Sequence, residues 1–157
     1  MHEITLTNIS YAYGEQTVLE DINFTAAAGE FICLLGPSGC GKSTLLRLLA
    51  GLARPTTGTL TLDGKPINGP GLDRGVVFQD YSLFPWMTAG QNVVLALEQA
   101  FPGKSRTKHR QTAQAYLEMV GLNDVFHKLP GALSGGMRQR AAIARAFAIN
   151  SPGFAHG

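Results

Sequence analysis

Apolar positions along the chain follow two different rhythms. In the first half they alternate or come in short runs. Ile4-Thr5-Leu6-Thr7 and Asp21-Ile22-Asn23-Phe24-Thr25 alternate with period two, the pattern of strands with one buried face. Between them, Tyr11-Ala12-Tyr13-Gly14 reads as a turn carrying two exposed aromatics. Ala26-Ala27-Ala28-Gly29-Glu30 then turns the chain into Phe31-Ile32-Cys33-Leu34-Leu35, an unbroken apolar run that suits a strand buried on both faces of a parallel sheet. Leu45-Leu46-Arg47-Leu48-Leu49-Ala50 is a run of good helix formers that Gly51 ends. Thr59-Leu60-Thr61-Leu62 alternates again, and Asp63-Gly64 marks a hairpin-type turn. A Pro- and Gly-rich loop from Pro66 to Gly71 leads to Gly75-Val76-Val77-Phe78, a short buried strand closed by Gln79.

Beyond Gln79 the rhythm becomes helical. The pattern predicts helices over 92–100, over 107–120 with Gly121 as the stop, and from Ser134 to Ile149. Met137, Ala141, Ala144 and Ala148 share one face of the last. The chain therefore divides into a β-rich part, 1–87, a helical part, 88–150, and an atypical tail, 151–157. No internal repeat or low-complexity segment is present.

Composition narrows the class. The chain has 157 residues, of which 45% are hydrophobic and 15% charged, the balance of a folded domain with its own core. A formal charge of +2 leaves no electrostatic footprint for nucleic acid. No apolar run reaches the length of a membrane span, and Met1-His2-Glu3-Ile4 lacks a signal-peptide pattern, so a cytoplasmic location is expected. Cys33 and Cys40 are too few for a disulfide framework and read as free thiols, with Cys33 buried in its strand. Lys104, Arg106, Lys108, His109 and Arg110 form a basic cluster, either a solvated face or an anion site.

Two stretches carry chemistry. Gly36-Pro37-Ser38-Gly39-Cys40-Gly41-Lys42-Ser43-Thr44 fits the phosphate-binding pattern G-x-x-x-x-G-K-[ST], placed between an expected strand and an expected helix as the mechanism needs. Glycines let backbone N–H groups turn toward a phosphate chain, and the following helix N-terminus adds partial positive charge. Lys42 is placed to reach the β- and γ-phosphates, and Ser43 to ligate Mg2+. The second stretch is Leu133-Ser134-Gly135-Gly136-Met137, where a Ser N-cap and two glycines bare another helix N-terminus. One nucleotide needs only one phosphate loop, so a second anion-binding terminus points to a γ-phosphate shared between two subunits.

With both motifs in place, the chain resembles the ATP-binding subunit of an ATP-binding cassette (ABC) transporter over nearly its whole length, to about Pro152. Met137 stands where the family has Gln. The resemblance implies an α/β P-loop NTPase fold with a mixed sheet, antiparallel N-terminal strands and a helical subdomain. It implies ATP and Mg2+ as cofactors, adenine stacking by Tyr13 (Tyr11 being the second choice), and an approach of Gln79 to Mg2+ and the attacking water. Ser134, Gly135 and Gly136 would act in trans on the second copy of a head-to-tail homodimer. Leu83-Phe84-Pro85-Trp86 matches the region that meets permease membrane subunits, although a Phe and a Trp in a loop also fold back as core. A periplasmic substrate-binding protein would take part indirectly, and the chain would lie on the cytoplasmic face of the membrane.

A narrower likeness lies in Gly69-Pro70-Gly71-Leu72-Asp73-Arg74-Gly75-Val76-Val77-Phe78-Gln79 and Leu83–Trp86. It is similar to the nitrate, sulfonate and taurine import branch, with taurine or an alkanesulfonate the expected cargo. In the family, an apolar strand ending Asp-Glu and a later His follow the signature helix. Here Ile149-Asn150-Ser151-Pro152 leads instead to Gly153-Phe154-Ala155-His156-Gly157. Neither Asp80 nor His156 replaces those groups. The expectation is a chain truncated before the acidic strand, with part of the core missing and no ATP hydrolysis of its own.

Overall fold

A computed structural model describes residues 2–71, 73–78 and 81–149. They fall into two compact units, Met1–Arg74 and Gly75–Gly157.

The first unit is built on an antiparallel sheet. β1 (Ile4–Tyr13) pairs with β2 (Gln16–Ala26) on one side and with β3 (Thr57–Leu62) on the other, and β3 pairs with the short β4 (Lys65–Pro66). The β1–β2 register runs from Ile4 opposite Ala26 to Tyr13 opposite Gln16. β1 thus continues through the residues expected to turn, and the turn is Gly14-Glu15, with Gly14 at φ +59°. The Asp63-Gly64 turn forms as expected, with both residues at positive φ. Leu6, Ile9, Leu19 and Leu60 meet on one face of the sheet, and α1 (Lys42–Leu49) lays Leu48 on them, fully buried.

Residues 31–35 do not form the expected strand. They carry no regular secondary structure and pair with none of the described strands. Phe31 is 92% exposed and Leu35 87%. Cys33 is exposed as well, not buried. An apolar run becomes a strand only where a neighbouring ladder takes its N–H and C=O groups. For the same reason residues 75–78 are not a strand, and Val77 and Phe78 are each about one-third exposed. The sheet of the described residues is accordingly antiparallel throughout, and its expected parallel part does not occur among them.

The second unit is helical: α2 (Ala89–Ala100), α3 (Arg106–Met119), a 3-10 turn at Pro130–Ala132 and α4 (Gly135–Ala148). α2 begins three residues before the expected start because Thr88 and Gln91 form a capping box: the Thr88 hydroxyl accepts from Gln91 N while the Gln91 side chain accepts from Thr88 N. Ser105 caps α3 through Lys108 N, and Gly121, at φ +71°, follows its end. Val93, Leu97, Ala113, Leu117, Ala141, Ala144 and Ala148 make one buried cluster at the centre of the three helices. Small residues on α4 let it approach α2 and α3 closely. At Gly90 an added Cβ would lie 2.5 Å from the Phe126 ring, so the α2–loop contact itself requires glycine.

Candidate phosphate-binding and docking sites

In the first unit, residues 36–41 wind into the N-terminus of α1. Gly39 and Gly41 sit at φ +84° and +91°, conformations that L side chains rarely adopt. Gly41 is the N-cap of α1, and Leu45 N donates to its carbonyl at 2.8 Å. A Cβ on Gly41 would lie 2.7 Å from Leu19 Cδ2 and 3.0 Å from the Val18 carbonyl oxygen. The phosphate loop is thereby pressed against β2, the strand that pairs with Tyr11 and Tyr13 on β1.

Lys42 folds back over the loop. Its ammonium donates to the carbonyls of Gly36 at 2.8 Å and Pro37 at 2.7 Å, and lies 3.5 Å from Cys40 Sγ. Ser38 and Ser43 are exposed, whereas Thr44 is buried beneath them. The loop thus presents a cation, a hydroxyl and glycine-rich backbone to solvent at a helix N-terminus, the donor set that holds a phosphate chain. Among the described residues no group of three His, Cys, Asp or Glu side chains could hold a metal ion. Of the residues expected at a magnesium ion, Ser43 is exposed in the loop and Gln79 lies outside the described residues.

Tyr13 lies at the tip of the β1–β2 hairpin, 51% exposed, with its ring edge-on to that of Tyr11 at 4.9 Å. Tyr11 is half-buried and packs against the sheet core, so Tyr13 has the freer face. A groove of about 230 Å3 runs between α1 and the sheet, lined by Phe24, Ile32, Leu34, Leu45 and Leu49 among others. In the 69–74 loop, Arg74 donates to the Gly69 carbonyl at 2.7 Å and to Asp73 at 3.2 Å. That arginine closes its own loop.

In the second unit, Ser134 caps α4 by accepting from Met137 N at 3.3 Å. Ser134 and Gly136 are exposed, and no acidic residue stands in the first turn. This is a bare helix terminus with its amides available to an anion. Met137 packs against the helical core, so its thioether replaces a polar side chain without disturbing the cap.

The expected docking segment divides. Leu83 packs against the helical core, whereas Phe84, Pro85 and Trp86 are exposed, Trp86 by 71%. The Phe84 and Trp86 rings lean together at 5.5 Å. Sequence reasoning missed the side chains that hold this loop. Asn92, almost fully buried, accepts from Phe84 N at 2.8 Å and donates to the carbonyls of Phe84, Met87 and Thr88 at 3.0–3.2 Å. Arg145 on α4 donates to the Ser82 carbonyl at 2.7 Å, and the Arg138 guanidinium lies 5.5 Å over the Tyr81 ring. Burial lowers the Arg145 pKa from its usual value. Tyr81 and Ser82 both have positive φ, +64° and +48°, a strain of roughly 1–3 kcal/mol each that surrounding contacts must hold. The signal for Asn92 was a polar residue set in the apolar stripe of Ala89, Val93 and Leu97. Gln79, Asp80, Asn150 and the 151–157 tail lie outside the described residues.

In the basic cluster, His109 is buried and its Nε2 lies 3.0 Å from the Phe101 carbonyl, so it belongs to the fold. Arg106, Lys108 and Arg110 are exposed, and Arg110 bonds His127 Nε2 at 3.2 Å.

Comparison with known proteins agrees with this geometry. The family model described as ABC transporter matches residues 19–153. The nitrate import ATP-binding protein NrtD of Synechococcus elongatus is 53% identical over 136 residues, which span 87% of this chain and 50% of that protein. The bicarbonate transport ATP-binding protein CmpD of Synechocystis is 50% identical over 150 residues, 93% of this chain and 53% of that protein. The chain therefore spans about half the length of the curated relatives it matches. Among solved structures, the dimeric bacterial ABC transporter cassette MJ0796 superposes with a TM-score of 0.86 at 37% identity, over 95% of this chain and 71% of that one. The same cassette in a post-hydrolysis dimer bound to ADP and Pi gives 0.84 at 36% identity, with the same coverage. A glycine loop feeding α1, a serine-capped α4 and these matches lead to one assignment: the chain belongs to the ABC transporter family and has the α/β P-loop cassette fold.

Proposed function

We propose that the chain is the ATP-binding part of an ABC importer subunit, and that the importer carries a small oxyanion. The observation that carries the reading is the loop at 36–44, where positive-φ glycines, Lys42 and the α1 N-terminus converge. Within it, Gly36, Pro37, Ser38, Gly39, Cys40 and Gly41 supply the cradle, Lys42 the cation, Ser43 the magnesium ligand, and Thr44 the buried end of the turn. Tyr13 stacks on adenine. Ser134, Gly135 and Gly136 serve the nucleotide of a second copy in a head-to-tail homodimer, and the family pattern gives Gln79 the role of approaching magnesium and the attacking water. The nucleotide-binding core is placed in 1–87 and the helical subdomain in 88–150.

In the full-length protein, ATP hydrolysis would use Lys42 and the α4 terminus to stabilise charge on the transferring phosphoryl group. Phe84, Pro85 and Trp86 would dock on permease membrane subunits, which would place the protein on the cytoplasmic side of the membrane, with a periplasmic binding protein as indirect partner. No helix among the described residues is long and apolar enough to cross a membrane.

The relatives' names favour nitrate or bicarbonate as cargo over taurine or an alkanesulfonate. The test has two arms. Calorimetry of the chain with ATP and Mg2+ should show saturable binding that Lys42→Ala weakens about 10- to 100-fold; equal binding by both would refute the nucleotide site. Uptake of labelled nitrate, bicarbonate and taurine by cells carrying or lacking the full-length protein then names the cargo.

A further inference from the structure

We propose that Asn92 and Arg145 are positioning residues that lock the 81–88 loop in one docking-ready conformation; the inference rests on the docking reading above. The loop offers two exposed rings, Phe84 and Trp86, which a partner could use only if they hold still. A loop of eight residues with two consecutive left-handed residues, Tyr81 and Ser82, would not do so unaided.

Each end of the loop is fastened to a different helix. At its C-terminal end Asn92 acts as a surrogate peptide group. Its oxygen takes Phe84 N–H, and its two amide hydrogens are shared among the Phe84, Met87 and Thr88 carbonyls. The bonds lie in an almost water-free site, where losing one leaves a backbone group unpaired. At its N-terminal end Arg145 holds the Ser82 carbonyl, and Arg138 covers the Tyr81 ring. Position 135 helps to seat that ring: a Cβ there would come within 3.3 Å of the Tyr81 hydroxyl. Between the fastenings Leu83 is anchored in the core, so only Phe84, Pro85 and Trp86 project. Fixing rings before contact removes ordering costs from association, which is how preorganised surfaces gain affinity.

Trp86, the only tryptophan of these 157 residues, reports on the loop directly. Time-resolved fluorescence anisotropy of this 157-residue chain should show fast local motion of Trp86 in Asn92→Asp and Arg145→Gln. It should stay slow in Arg140→Gln, a control that removes a comparable bond from α4 to the Val120 carbonyl. Co-purification with the membrane subunit should fall roughly 5- to 20-fold in the first two variants and hold in the control. Circular dichroism melting identifies any variant that has lost its fold, and Arg145→Lys, which keeps a donor, should partly restore both readouts. Unchanged Trp86 motion in folded Asn92→Asp and Arg145→Gln overturns the inference. So does parental association in those variants when Trp86→Ala associates weakly, an outcome that spares the docking reading. Parental association in Trp86→Ala overturns the docking reading itself.

Discussion

The Lys42 ammonium lies 2.7 Å from the Pro37 carbonyl oxygen, inside the turn made by its own loop. On the proposed reading, binding of a phosphate chain exchanges these neutral carbonyl acceptors for charged ones. Lys42→Ala should therefore weaken ATP by about 10- to 100-fold, the equivalent of about 1.5–3 kcal/mol for a hydrogen bond to a charged group. Calorimetric titration of parent and variant measures it, and equal affinities would remove Lys42 from the site.

Tyr13 should matter through its face and not through its hydroxyl. Tyr13→Ala is expected to cost adenine nucleotides about 1–3 kcal/mol, while Tyr13→Phe stays close to the parent. Inorganic triphosphate, which has no base, should bind both variants like the parent. Loss of triphosphate binding in Tyr13→Ala would mean that the substitution disturbs the hairpin.

The thiols should separate by protection and not by intrinsic access, because both Cys33 and Cys40 are exposed. A short alkylation pulse should label both in the free protein. Mg-ATP should slow Cys40, which sits in the loop beside Lys42, and leave Cys33 unchanged. Peptide mass spectrometry after the pulse reads each site, and equal protection of the two would break the assignment.

Asp63 gives a pH dependence with a definite sign. A hydrogen bond from His2, then one from Glu3 N, holds its carboxyl below the usual carboxylate range. A depressed folded-state pKa adds stability that is present above the unfolded value, near ~4, and is lost as pH falls through the folded value. The melting temperature of the parent should drop more between pH 5 and acid than that of Asp63→Asn. Parallel curves would show that the turn does not feel Asp63 ionisation.

The legible parts of the chain are those whose signals are local. Ser134 with its small-residue face gave α4 to within a residue, and Asp63-Gly64 gave its turn. The glycine turn that feeds α1 was legible because Gly39 and Gly41 adopt positive φ for reasons independent of the rest of the fold. Residues 31–35 were not, since five apolar side chains say that a segment prefers burial and nothing about which neighbour would bury it. Asn92 was only faintly marked for a related reason. Its partners are peptide groups, which every sequence has everywhere, so only its place in the apolar stripe marked it.

The contact between Gly41 and Leu19 has a consequence for ligand choice. One strand, β2, is at once the back wall of the phosphate loop and the partner of the strand that ends in Tyr13. On the proposed reading, base and phosphates are gripped by two jaws fixed to a single bar, and the span between them is a length standard. Such a calliper admits any base with a flat face but rejects a ligand whose phosphates start too near the ring or too far from it. On that reading, an inserted or deleted residue between Gln16 and Leu19 would move one jaw against the other without touching the residues of either.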